Sequence, residues 1–116
     1  MLRERVLKIV LVVAGLIFLA GSYPLVMFFS REPGVAMIMS IYVTMGVFLL
    51  LAARDAGANR TLIAFVGWAN VAHAAVMAVQ EYLHAIEPKE LVGVAMFFVI
   101  GVLLIALLPA RPPHAA

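Results

Sequence analysis

Residues 60–84, RTLIAFVGWANVAHAAVMAVQEYLH, decide how this chain is read. The run is mostly apolar, yet it contains Asn70, His73, Gln80, Glu81 and His84. On a helix, Asn70, His73, Met77, Gln80, Glu81 and His84 fall within an arc of roughly 100°. The opposite face carries Trp68, Val71, Ala72, Ala75, Val79 and Leu83. In water an apolar stripe turns toward a core. In hydrocarbon the order inverts, so the oily side should meet lipid and the polar seam should face other helices.

Composition puts the chain in hydrocarbon. Its 116 residues are 66% hydrophobic and 12% charged, with a mean hydropathy of +1.15. An ordinary soluble domain is about 25% charged. The expected class is all-α: a polytopic membrane protein of four transmembrane helices, arranged as two hairpins in one bundle. Cysteine is absent, which excludes a disulfide framework, a thiolate metal site and a cysteine nucleophile. The net charge of +2 does not point to nucleic acid, because the charges sit at segment ends, where they set topology.

Working outward from the opening stretch, the expected helices are about residues 6–29, 35–53, 61–86 and 91–108, all within a single domain of residues 1–116. Each is close to the roughly 20 residues that a hydrocarbon core of about 30 Å requires. Pro24 should kink or end the first helix. The basic start and Ala20-Gly21-Ser22 also fit a signal peptide, but the apolar character continues past Ser22, which favours a retained span. Ser30–Gly34, Arg54–Arg60 and Glu87–Glu90 are the turns. The last segment has no polar side chain, and Gly93 and Gly101 mark one face of it for close helix packing. Pro109, Pro112 and Pro113 end it, and a loose tail should follow. A faint echo links Gly46-Val47-Phe48-Leu49-Leu50 with Gly101-Val102-Leu103-Leu104. Val35-Ala36-Met37 and Val94-Ala95-Met96 precede these at unequal distances, and in a small apolar alphabet chance similarity is favoured over a duplicated hairpin.

His73 lies near the middle of its segment and so near the bilayer midplane, where ionisable residues usually face the bundle interior. Three readings compete. It could be a neutral imidazole hydrogen-bonded to Thr44, Asn70 or a carbonyl, acting as interhelical glue. It could relay protons, or it could be the axial ligand of a haem or a chlorophyll-type pigment. A haem with two axial ligands would need a second copy of the chain, because His84 is about 16 Å away on the same helix. Glu81 and His84, beside Gln80, read as interfacial side chains reaching water or as a mouth for protons or cations leading inward past Met77. Ser40 and Thr44, one turn apart on the second segment, are the candidate partners there. His73, Met77 and Glu81 come from one helix only, and no second cluster completes a metal shell. Ser22, Ser30 and Ser40 have no acid–histidine partner, so no enzyme is expected. The expected partners are the lipid bilayer and either further copies of this chain or a larger membrane complex.

The pieces Arg3–Ile9, Tyr23-Pro24-Leu25, Leu51-Ala52-Ala53-Arg54, Asn59–Phe65 and Trp68–Gln80 together resemble a family of small bacterial membrane proteins of unknown function. That resemblance implies four helices and a bacterial inner membrane, and it implies no activity. The length is also similar to that of the small multidrug-resistance exporters. Those place a coupling glutamate in the middle of their first helix, where this chain is apolar from Ala14 to Leu19.

Charge distribution sets the expected orientation. The N-terminus, second loop and C-terminus hold Arg3, Arg5, Lys8, Arg54, Arg60 and Arg111 against Glu4 and Asp55. The other side holds Arg31 and Lys89 against Glu32, Glu81, Glu87 and Glu90. Both termini should therefore be cytoplasmic. Cysteines introduced at Ala56 and Lys89 should label from opposite sides of the membrane; labelling of both from one side would refute four spans.

Overall fold

A computed structural model describes residues 2–109 of the chain. Helix α1 spans Leu2–Leu19, α2 Ser22–Met27, α3 Pro33–Ala52, α4 Arg60–Tyr82 and α5 Leu91–Ala106. Short 3-10 turns at Gly57–Asn59 and Pro88–Glu90 lead into α4 and α5. Four segments are long and apolar enough to cross a membrane: Leu2–Met27, Pro33–Ala52, Gly57–Tyr82 and Pro88–Ala106. The fold is all-helical among the described residues, as the composition predicts. Arg111, Pro112 and Pro113 lie outside the described residues.

The helix limits differ from the sequence reading in instructive ways. α1 begins at Leu2 rather than near residue 6, because Leu, Arg and Glu are good helix formers; the charges mark where lipid ends, not where the helix ends. The first span breaks at Ala20–Gly21, where the amides of Gly21 and Tyr23 bond three residues back, to Phe18 and Ala20. Pro24, which has no amide proton, then sits in the first turn of α2, where none is needed. α4 stops at Tyr82, short of residue 86. There the Ala85 amide bonds the Gln80 carbonyl and the His84 amide bonds that of Glu81, with His84 at φ 59°. This is a Schellman ending with histidine in the place usually given to glycine.

α1 pairs with α3 and α4 with α5, giving two hairpins, and α2 lies back along α3. The hairpins meet more thinly, along α1·α5 and α3·α4. Each hairpin is built on a pair of glycines. A methyl added to Gly46 would lie 2.7 Å from the Gly15 carbonyl oxygen, and one added to Gly101 would lie 2.7 Å from that of Gly67. Backbone touches backbone at both crossings, and only glycine permits that approach.

The two hairpins also share a register. The buried positions Leu11, Ala14, Gly15 and Phe18 of α1 recur at one constant offset as Ile63, Val66, Gly67 and Asn70 of α4. Tyr42, Gly46 and Leu49 of α3 recur as Phe97, Gly101 and Leu104 of α5. The two glycines that begin the sequence echo are thus equivalent in space, whereas the Val-Ala-Met triplets fall out of register. At the third position after the glycine, the first hairpin has Phe18 and the second has Asn70.

The terminal end of α5 is fastened from two sides. Arg3 Nη2 donates to the carbonyls of Ala106 (3.1 Å) and Leu108 (2.8 Å), and Arg60 Nε donates to that of Pro109 (2.8 Å). Cations are favoured at a helix C-terminus, where carbonyls lack helical partners.

Gly46→Ala and Gly101→Ala should each destabilise the bundle by about 1–3 kcal/mol, the usual range for overpacking a close contact. Gly34→Ala, where an added methyl meets nothing within 4 Å, should stay within about 0.5 kcal/mol. Denaturant titration in mild detergent checks both; equal effects at the three sites would show that the crossings are not tight.

Candidate functional site

The buried face of α4 is Ile63, Val66, Gly67, Asn70 and Ala74. The oily side opposite is turned outward, with Trp68 61%, Val79 57% and Leu83 66% exposed. Val71 departs from that pattern, because it packs against Gly101. The polar seam overlaps the buried face without coinciding with it, so its members meet different surroundings.

Asn70 is fully buried and is the one polar residue in the core among the described residues. Its Nδ2 donates to the Val66 carbonyl at 2.7 Å, one turn back on its own helix. Its Oδ1 has no hydrogen-bond partner among the described residues. A buried acceptor left unpaired costs about 1–3 kcal/mol.

His73 is half-buried at the border of the same face. Its ring meets Tyr42 of α3 edge-on, at 5.4 Å and 70°, and Phe97 of α5 at 4.7 Å and 77°. Phe18 of α1 completes the group, 5.1 Å from Tyr42 and 6.3 Å from Phe97. Tyr42 and Phe97 lie 5.0 Å apart. Each of the four spans contributes one ring; Phe18–Tyr42, Tyr42–His73 and His73–Phe97 have the favoured edge-to-face geometry, and the two contacts of Phe97 with Phe18 and Tyr42 are tilted at 39°. The imidazole makes no hydrogen bond with a described residue. The hydrogen bond expected of it, to Thr44, Asn70 or a carbonyl, is replaced by ring contacts.

The remaining seam residues disperse. Met77 lies against Gly93, its Cε 3.4 Å from where a methyl on that glycine would sit. Gln80 is exposed and Glu81 half-exposed. His84 leaves the seam altogether: α4 has ended, and the left-handed backbone turns the residue outward. Ser40 and Thr44 do not reach the seam. Ser40 Oγ donates to the Met37 carbonyl (2.6 Å) and Thr44 Oγ1 to that of Ser40 (2.9 Å), each on its own helix. Both are exposed and line an apolar groove between α3 and α4 with Phe48 and Phe65. Gly93 and Gly101 serve the α4·α5 contact within the chain.

Sequence reasoning did not single out Phe18, Tyr42 and Phe97. Two of them stand in segments read as apolar filling, and a helical wheel of one segment carries no information about rings on another. Gly15, Gly46 and Gly67 were not read as packing contacts for the same reason. The available signal was the recurrence of an aromatic residue four positions before Gly46 and before Gly101.

Asn70→Leu replaces a half-paired amide with an apolar side chain of similar size. It should leave stability unchanged or raise it by about 1 kcal/mol, since the unpaired Oδ1 disappears with the lost bond. A loss of more than 1 kcal/mol in detergent denaturation would show that the amide has a partner of its own in the membrane.

No curated protein and no solved structure matches the chain. The family of unknown function DUF6632 matches residues 3–113, nearly the full length. By that match, carried across all four apolar spans and the seam of α4, the chain belongs to the DUF6632 family.

Proposed function

We propose that this chain is a non-enzymatic structural or accessory membrane protein of a bacterial inner membrane, with both termini in the cytoplasm, that acts as a packed unit within a homo-oligomer or a larger membrane complex. The observation that carries this reading is the Phe18–Tyr42–His73–Phe97 cluster, which joins one ring from each span at mid-depth. The residue with the most chemistry to offer is packed against two rings, and the polar side chains above it lie apart. Asn70 bonds back to its own helix, Met77 packs on Gly93, and Gln80 and Glu81 turn toward the exposed end. On this reading His73 serves packing.

His73→Phe should keep the stability of the bundle, because edge-to-face contacts with Tyr42 and Phe97 survive the exchange. His73→Leu and His73→Gln should each lose about 0.5–1.5 kcal/mol, the range for one aromatic pair. Thermal unfolding in nanodiscs, read with the oligomeric state, measures this. An absorption band in the visible that disappears in His73→Phe, or proton flux into liposomes that stops in Glu81→Gln, would replace the structural reading with a pigment-binding or a transporting one.

A further inference from the structure

Among the described residues, the terminal end of the bundle holds a cavity of about 660 Å³ between the two hairpins, walled by the start of α1, the loop after α3 and the end of α5. Arg3, Lys8 and Arg54 line it, together with Glu4 and Asp55. These charges are not equally committed. Arg3 is tied to the last carbonyls of α5, and Asp55 Oδ1 accepts the Ala58 amide at 3.2 Å to shape its loop. Lys8 and Arg54 form no ion pair or hydrogen bond with any described residue, although both border the same space; Arg54 follows the end of the second span, and Lys8, less than two turns inside the first, has a side chain long enough to reach the same end. Two unanswered cations at headgroup depth favour an anion there.

A second observation concerns what lies beneath. About one turn deeper along α1 and α5, where Leu7 gives way to Val10 and Leu107 to Leu103, a groove of about 560 Å³ runs between the hairpins, lined only by apolar side chains. Ile9 and Val13 form one wall, Met96 and Val99 the other. The groove follows the α1·α5 seam, where the hairpins meet far more thinly than the helices within each hairpin.

We propose that this cavity and groove together form a binding site for an anionic phospholipid. The headgroup phosphate sits between Lys8 and Arg54, and one acyl chain lies between α1 and α5. A headgroup with a net negative charge fits this cationic mouth better than phosphatidylcholine does, whose phosphate is offset by its own quaternary ammonium. An acyl chain fits a groove with no polar wall. The lipid then fills the gap between hairpins that the protein leaves open, and it should stabilise their association.

The test uses the full chain in mild detergent, with native mass spectrometry to read bound lipid and thermal unfolding to read its effect. Dioleoyl phosphatidylglycerol should be retained and should raise the unfolding temperature; dioleoyl phosphatidylcholine at the same concentration should do neither. Lys8→Gln with Arg54→Gln should weaken phosphatidylglycerol retention at least tenfold, and Lys8→Arg with Arg54→Lys should preserve it. Ala95→Phe, which keeps every charge but fills the groove, should also weaken it. Circular dichroism confirms that each variant is helical; these side chains are exposed, so folding does not depend on them. Equal retention of the two lipids, or phosphatidylglycerol retention unchanged in the Gln pair or in Ala95→Phe, overturns the proposal. Inorganic phosphate at millimolar concentration giving the same stabilisation and displacing the lipid would overturn it in favour of a free-anion site.

Discussion

In hydrocarbon a leucine gains little by turning from lipid to protein, so apolar surface alone cannot hold four helices together. What remains is contact, and contact between helices is closest where no side chain intervenes. The Gly15·Gly46 and Gly67·Gly101 crossings meet that requirement in one hairpin each. With the backbones in touch, the side chains on either side of each glycine are committed: Leu11 and Phe18 around Gly15, Ile63 and Asn70 around Gly67. The buried register of both hairpins follows from where the glycines stand.

That shared register makes the difference between the hairpins informative. Phe18 and Asn70 occupy equivalent places, one supplying a ring to the central cluster and the other an amide that is only half satisfied. His73, one turn beyond Asn70, returns a ring to the cluster from α4. In this way α4 takes part in an aromatic core although its register position carries an amide. One edge-to-face pair, Tyr42–His73, and two tilted pairs, Phe18–Phe97 and Tyr42–Phe97, join the hairpins at mid-depth, each worth about 0.5–1.5 kcal/mol, where their helices otherwise meet thinly.

At the terminal end, charge does structural work that topology alone would not reveal. Arg3 and Arg60 come from the starts of α1 and α4 and close the carbonyls at the end of α5. The helix with no polar side chain of its own is therefore anchored by its neighbours. The same end leaves Lys8 and Arg54 without a hydrogen bond or ion pair among the described residues, in contrast to the two arginines that close α5.

Much of the fold was legible from composition and run length. Four apolar runs of spanning length require four helices, since lipid offers the backbone no partner, and the polar turns divide them. The inside-out orientation of α4 was legible too: Trp68, Val79 and Leu83 face outward and Asn70 faces inward. Helix ends were not, because good helix formers such as Arg3 and Glu4 continue a helix past the lipid, and because the left-handed backbone at His84 depends on the turn beyond it. The partners of the seam were not legible either. A single helix's periodicity fixes which way a side chain points but not what stands opposite. Ser40 and Thr44 share His73's general depth, yet α3 presents Tyr42 to it instead and keeps both hydroxyls bonded to itself. The sequence by itself determined the number of spans and the outward turn of the oily side of α4, since both follow from hydropathy and helical period. Only the tertiary structure decided that His73 meets rings rather than hydroxyls, because that depends on the rotation and depth at which α3 and α5 pack, and those are set by the glycine crossings.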